Sequence, residues 1–488
     1  MHQGSYIGGT WRRPDTADGV LEVYNPAAPT ECTFSTPFAH RDAVEAVTEA
    51  RQASPHWGLL PQAERDDAMR RIQTQLLARE DAIARQITAE VGKPLWEAHG
   101  EASGLAKRVD LVLGTIADDI ADRPLPGNAG EACFLPLGVV VVLGPFNFPA
   151  HLANGQILPA LAAGNTVILK PSEKAAGVAA LYAEAFAAAD LPDGVFNLVQ
   201  GDGRSGAILA EHQDVDAVLF TGSTAVGKKI LAATHAQPHK LVALEMGGKN
   251  AAAVLDGADL ETVAGELLLG ATITCGQRCT ATSQVFVQRA LIRELSDRLA
   301  AAMPRLVVGD PLAPDTFIGP IIDADAQRRM MALNDAARSA GAATLCAATV
   351  PADSGWFVRP ALRQGAWADH PYFTDEHFGP DLVLVPVADE AEAVAGINAT
   401  NYGLAAAVFC PEQGQFRRVA ARLRCGVVNW NRSTVGASGS LPFGGWRNSG
   451  NHRPGAAFAG RLVTAAQARL NGQGPLPAGI IKALENSP

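Results

Sequence analysis

No stretch of this sequence is long and apolar enough to suggest a membrane-spanning helix; its longest apolar runs, such as Gly138 to Leu143, are strand-sized. Aromatic residues are scarce at 6% and charged residues reach only 18%, against 48% hydrophobic residues. That balance excludes a disordered or fibrous chain and fits a well-buried globular enzyme. Positive charge is in deficit. With 40 Lys and Arg against 50 Asp and Glu, the formal net charge is −10, so neither nucleic acid nor an anionic membrane is attracted to the average surface. Cysteines are few and odd in number: the seven are Cys32, Cys133, Cys275, Cys279, Cys346, Cys410 and Cys425. They do not form a disulfide framework, and reduced thiols in a cytoplasm are expected. Cys275 and Cys279 make a C-x3-C pair, but no companion pair or nearby His cluster completes a metal site, and none is expected. The opening MHQGSYIGGTWRRP has no apolar core of signal-peptide length, which again points to the cytoplasm.

What is present is size and alternation. At 488 residues the chain exceeds one ordinary core, so two or three packed units are expected. A strand-like opening (SYIGGTW) and a turn at Asn25-Pro26 lead into helical patterns over about Arg41–Trp57 and Gln62–Glu90. Between Asp122 and Gly138 the text becomes Pro- and Gly-rich, which reads as an extended hairpin. From Val139, five apolar runs (VVVVLG, TVILK, VFNLV, DAVLF, KLVALE) alternate with four helical stretches. Continuous apolar strands separated by helices predict a parallel sheet covered on both faces, of the doubly wound dinucleotide-binding type. A second α/β unit is expected from AAAVL, SQVFV, LVLVPV, LAAAVF and GVVNW. The tail from Gly460 starts strand-like and then loses periodicity.

Five strings could carry chemistry. In FTGSTAVG, Gly222, Ser223 and Gly227 flank a helix start, where free backbone N–H groups suit a pyrophosphate, although the spacing is G-x4-G and an ordinary turn and N-cap would read the same. Lys170 and Glu173 lie just past the carboxyl end of a strand, where open α/β sheets bind ligands. A cation and a carboxylate there could hold ribose hydroxyls, the carboxylate repelling a 2′-phosphate; a solvated charge pair is the alternative. In LEMGGKN, Glu245 closes a buried strand, and desolvation would raise its pKa toward general-base duty. Cys279, in TCGQRCTA, has the polar neighbours Gln277, Arg278 and Thr280, unlike a core thiol. Asn147, in LGPFNFPAHL, could donate to an oxyanion or merely form a turn.

Taken together and in this order, the five strings resemble the aldehyde dehydrogenase superfamily, and the resemblance runs nearly the whole chain, through EHFGPDL, NYGLAAAVF, GVVNWN and PFGGWRNSG. It implies an aldehyde dehydrogenase-like α/β fold: two doubly wound domains plus a small β oligomerisation flap. The implied division is an NAD-binding domain from 1–121 and 141–244, a catalytic domain from 245–440, and a flap and tail from 122–140 and 441–488, in a homodimer or homotetramer. Implied too is NAD-dependent oxidation of an aldehyde to a carboxylic acid. Cys279 would attack to give a thiohemiacetal whose oxyanion Asn147 and the Cys279 N–H hold. Loss of hydride would leave a thioester, which water activated by Glu245 hydrolyses. Lys170 and Glu173 would hold the adenine ribose, Gly222 to Gly227 the pyrophosphate, and Glu376 the nicotinamide ribose with Phe378 close by.

Within the family, LALEMGG-like wording at 243–248, the GPxNFPxHLxNGxIxPAL pattern at 144–161, VNWN at 428–431 and above all SGNHRP at 449–454 resemble the N-succinylglutamate-semialdehyde dehydrogenases of arginine catabolism. A dicarboxylate substrate needs cations, and Arg278, Arg447 and Arg453 are the candidates, each of which could instead be a structural or surface ion pair. Trp446-Arg447-Asn448, Lys249 and the region after Pro454 depart from the subfamily's pattern and bear on the substrate rather than the chemistry. A neutral aliphatic or aromatic aldehyde is the rival substrate. A coenzyme A-acylating dehydrogenase would lack Glu245, and a non-catalytic scaffold would have lost Cys279, Glu245 or Asn147.

Overall fold

The computed structural model describes residues 4–351, 354–472, 474 and 476–485; the outermost residues of the two end segments in the division above lie outside it. Two seven-stranded sheets organise the chain. In the first, the five expected runs become parallel strands, Val139–Leu143, Thr166–Lys170, Phe196–Leu198, Ala217–Gly222 and Leu241–Met246. Their spatial order places the first strand in the middle, so the winding reverses between Val139–Leu143 and Ala217–Gly222. This reversal opens a crevice at the carboxyl ends of the strands. Register aligns that edge: Leu143 pairs with both Lys170 and Phe220, and Thr221 pairs with Glu245.

The opening residues extend this sheet. Ser5–Ile7 pairs antiparallel with the Phe196–Leu198 strand, and Thr10–Arg12 lies outside it, making the sheet mixed. The turn at Asn25-Pro26 joins a separate hairpin, Gly19–Asn25 with Ala28–Phe38. The long helical pattern over 62–90 is two helices, Gln62–Ala78 and Glu80–Val91, broken at Arg79, whose ψ of 5° leaves the helical range. A further helix, Leu95–Asp119, follows and packs on the one before it.

The second sheet contains the expected strands Asn250–Val254, Thr282–Gln288, Asp381–Val387, Ala405–Phe409 and Val427–Trp430, all parallel. Ala361–Gln364 and Ala343–Cys346, which the apolar pattern does not reveal, add two more at one side. Ala343–Cys346 is largely exposed and antiparallel, so it carries no continuous apolar run.

The Pro- and Gly-rich excursion forms the antiparallel pair Arg123–Pro124 and Gly130–Pro136. The tail strand Thr464–Leu470 joins it in unbroken register from Thr464↔Pro136 to Leu470↔Gly130. Among the described residues, no helix is long and apolar enough to cross a membrane.

Candidate active site

A cleft of about 1270 Å³ runs between the two sheets, and residues from both line it. One end is built on the carboxyl edge of the first sheet. There Lys170 is buried and sits 3.6 Å from the Glu173 carboxylate, which is half exposed. Gly222 closes its strand, and Ser223 caps the Thr224–Thr234 helix by accepting from the Val226 N–H at 3.3 Å. The helix therefore begins at the cleft with backbone N–H groups free, a favourable seat for a phosphate group. Glycine at 227 lets this helix close onto Met246 of the neighbouring strand.

Asn147, Glu245 and Cys279 line the same cleft. Glu245 stands one residue before the end of its strand, deep in the protein; its Oε1 accepts from the Gly445 N–H at 3.1 Å, while Oε2 has no hydrogen-bond partner among the described residues. Burial raises this carboxyl to about 8, against smaller opposing effects from the Gly445 N–H and Arg453. Cys279 opens onto the cleft, and burial, with the Glu245 and Glu376 carboxylates adding to it, pushes its thiol up to about 12. A thiol in this setting must give up its proton before it can attack, and a carboxyl at about 8 is one that exchanges a proton with water near neutral pH.

The Cys279 loop is anchored by a residue that the motif reading passed over. Asn250 donates to the carbonyls of Cys279 at 2.7 Å and Ala281 at 3.0 Å, and its own oxygen accepts from the Ala405 N–H at 3.0 Å. Thr434 donates to the Thr280 carbonyl at 2.6 Å. Asn147 is buried and donates one amide hydrogen to the Gln277 carbonyl at 2.9 Å, which fixes the carboxamide against the turn that carries Cys279. Its second N–H appears in no other hydrogen bond among the described residues. Cys275 is a core thiol, packed with Ile318, Ile321 and Met330.

Glu376 reaches the cleft from the second sheet's side and accepts from the Gly248 N–H at 3.0 Å. A side chain at Gly247 would push this carboxylate from its place against the turn. Burial raises Glu376 to about 7. Phe378 lies edge-on to Phe146, with ring centroids 5.9 Å apart.

The three arginines proposed for substrate are placed elsewhere. None of them lines the cleft. Arg278 turns inward to Glu97 at 3.0 Å and Thr274 at 2.8 Å. Arg447 donates to the carbonyls of Asn398 and Thr400. Arg453 is exposed over the Trp446 ring. The SGNHRP string serves the fold. Its Asn451 accepts from the Leu244 N–H at 2.7 Å and donates to the Val242 carbonyl at 3.1 Å. Gly450 bridges to Glu245, so the segment covers the free edge of the strand that carries the carboxylate.

A thiol, a desolvated carboxyl and a fixed carboxamide, set at a dinucleotide-type switch point, are groups that an oxidoreductase working through a cysteine adduct would use. Comparison with known proteins agrees. Residues 11–467 match the model of the aldehyde dehydrogenase family. The chain is 39% identical over 91% of its length to N-succinylglutamate 5-semialdehyde dehydrogenase 1 of Caulobacter vibrioides, covering 96% of that protein. It is 37% identical over 93% to the N-succinylglutamate 5-semialdehyde dehydrogenase of Burkholderia mallei, covering 93% of it. Among solved structures, an NAD-dependent aldehyde dehydrogenase from Sinorhizobium meliloti superposes with a TM-score of 0.93 at 29% identity, over 98% of this chain and 96% of that one. A mutant of aldehyde dehydrogenase C from Pseudomonas syringae, in complex with NAD+ and octanal, superposes at 0.91 and 30% identity over 96% of each chain. The chain belongs to the aldehyde dehydrogenase family, and it is an enzyme of that activity.

Proposed function

We propose that this enzyme oxidises N-succinylglutamate semialdehyde to N-succinylglutamate with NAD, in the cytoplasm, as a step of arginine catabolism. The observation that carries the chemistry is the unpartnered Glu245 Oε2 in the same cleft as the Cys279 thiol. Cys279 gives up its thiol proton to solvent and forms the carbon–sulfur bond to the aldehyde carbon, the carbonyl electron pair moving to oxygen to give a thiohemiacetal oxyanion. The free Asn147 N–H and the Cys279 backbone N–H hold the oxyanion. NAD, when bound, accepts the hydride that the adduct gives up. Glu245 then takes a proton from the water that attacks the resulting thioester, releasing the acid and restoring the thiol.

The residues at the other end fit a dinucleotide: Lys170 and Glu173 for the adenine ribose, Gly222, Ser223 and Gly227 for the pyrophosphate, and Glu376 with Phe378 for the nicotinamide side. Glu173 favours NAD, because a 2′-phosphate beside its carboxylate would be repelled. In this reading residues 1–121 and 141–244 serve the cofactor and 245–440 the chemistry. Residues 122–140 with 441–488 serve assembly into a homodimer or homotetramer, for which the exposed strand Thr464–Leu470 offers an unpaired edge.

The substrate reading is supported by the names of the relatives above and by SGNHRP. It is tested by NADH formation from a panel of N-succinylglutamate semialdehyde, succinate semialdehyde, a long aliphatic aldehyde and benzaldehyde. A kcat/KM about tenfold higher on the first, roughly 1.4 kcal/mol of transition-state preference, is expected. A flat profile, or preference for a neutral aldehyde, would leave only the general activity.

A further inference from the structure

The cleft has a second end, away from Lys170 and the Thr224–Thr234 helix. It is walled by the Leu95–Asp119 helix, by His151, Leu152 and Gly155 of the next helix, and by Ser438, Gly439 and Phe443. Most of this surface is apolar or neutral. The exception is Arg108, whose guanidinium lies against Gly155 and Gly439: a methyl group on those residues would sit 3.2 Å from Nη2 and 2.6 Å from Nη1.

The charge balance around Arg108 sets it apart. Nearby, Lys93 pairs with Glu101 at 2.6 Å and Arg278 with Glu97 at 3.0 Å, so two carboxylates are matched to two cations. Glu101 also accepts from the His151 backbone N–H at 3.1 Å. Burial pulls the His151 imidazole below its ordinary range, so its ring adds no charge. Arg108 is left over: among the described residues no carboxylate and no hydrogen-bond acceptor engages it, and burial alone lowers its pKa. The other cations lining the cleft differ from it. Lys170 is beside Glu173, Lys174 is bonded to Asp323, Arg329 lies near Asp323, and Lys229 is exposed. A half-buried guanidinium that faces a cleft and has no anion of its own is suited to a carboxylate brought by a ligand.

We propose that Arg108 binds the distal carboxylate of the aldehyde substrate and sets the preference of this enzyme for carboxylate-bearing semialdehydes. The inference rests on the substrate reading above and deepens it: the anchor is a residue in the middle of a helix, at the end of the cleft opposite the cofactor seat. Asn147, Cys279 and Glu245 line the same cleft, so a substrate held at Arg108 by its far carboxylate can present its aldehyde to the thiol.

The test compares kcat/KM for N-succinylglutamate semialdehyde and for hexanal in the wild type, Arg108→Leu and Arg108→Lys. The ratio between the two substrates is expected to fall by about a hundredfold in Arg108→Leu, carried mainly by KM for the semialdehyde, with about tenfold recovered in Arg108→Lys. Equal losses on both substrates, or an unchanged ratio, would overturn the role of Arg108. A wild type that prefers hexanal would overturn the substrate reading itself and this inference with it. Should the leucine variant not fold, the wild type still decides: glutarate should inhibit hexanal oxidation competitively, and its neutral diamide should not. Equal inhibition by the two would remove the cationic anchor.

Discussion

The two ends of the cleft were written into the chain in different ways. Along the carboxyl edge of the first sheet, each group stands at or beside the end of a parallel strand, within a short string: Lys170 closing TVILK, Gly222 after AVLFT, Glu245 closing LVALE. Strand and motif are adjacent in sequence, so the motif declares its own position. At the substrate end, Arg108 lies inside a helix of 25 residues and meets Gly155 and Gly439 only through packing. No local string marks it. The difference teaches that chemistry carried by strand termini can be read from sequence, while specificity carried by helix packing needs the fold.

The largest effect that would break this comparison is at the thiol. Cys279→Ala should lower dehydrogenase activity by about a thousandfold or more while NAD binding, followed by nucleotide fluorescence, persists. Retained turnover would remove the adduct from the mechanism. Next in size is Asn147→Ala, expected to cost about a hundredfold in kcat, since a preorganised oxyanion donor is lost. If only KM rose, Asn147 would be a positioning group through its bond to Gln277.

A smaller effect comes from pH. Burial raises Glu245 to about 8, so below that pH it is protonated and cannot take a proton from water. Thioester hydrolysis should therefore climb about tenfold per unit up to that pH and level off above it. The same shift has a stability sign. The folded state holds this proton more tightly than the unfolded chain, so the contribution is full below the ordinary carboxyl range and is lost as pH rises through about 8. A hydrolysis rate flat from pH 6 to about 9 would show that another group acts as base.

Smallest in catalytic terms, and sharpest for the comparison, is Arg278→Leu. Because its guanidinium is held by Glu97 and Thr274, the change should destabilise the fold by on the order of 3 kcal/mol, read as a lowered Tm. The preference between a carboxylate-bearing and a neutral aldehyde should not move. A shifted preference would return Arg278 to the substrate end.

Legibility followed the same division in the fold. The apolar runs that became the ten parallel strands of the two alternating series were visible because both faces of each sheet are covered, which makes their strands continuous in hydrophobicity. Ala343–Cys346 was not visible, being an exposed edge. The break at Arg79 was hidden because the polar and apolar rhythm continues across it, and the Leu95–Asp119 helix was hidden by its three glycines, at 100, 104 and 114. SGNHRP was legible as unusual, but its structural role was not. Its Asn451 works on Val242 and Leu244, some two hundred residues earlier in the chain, and no periodicity spans that distance.

Everything in this mechanism depends on Glu245 acting after the first chemical step. Rapid mixing of Glu245→Gln with NAD and saturating aldehyde measures this directly. A burst of about one NADH per active site, followed by a steady rate at least about a hundredfold below wild type, is predicted, because the thioester forms and then waits for water. A linear trace at the wild-type rate would contradict it, and the base would have to be sought among the other carboxylates of the cleft, Glu376 first.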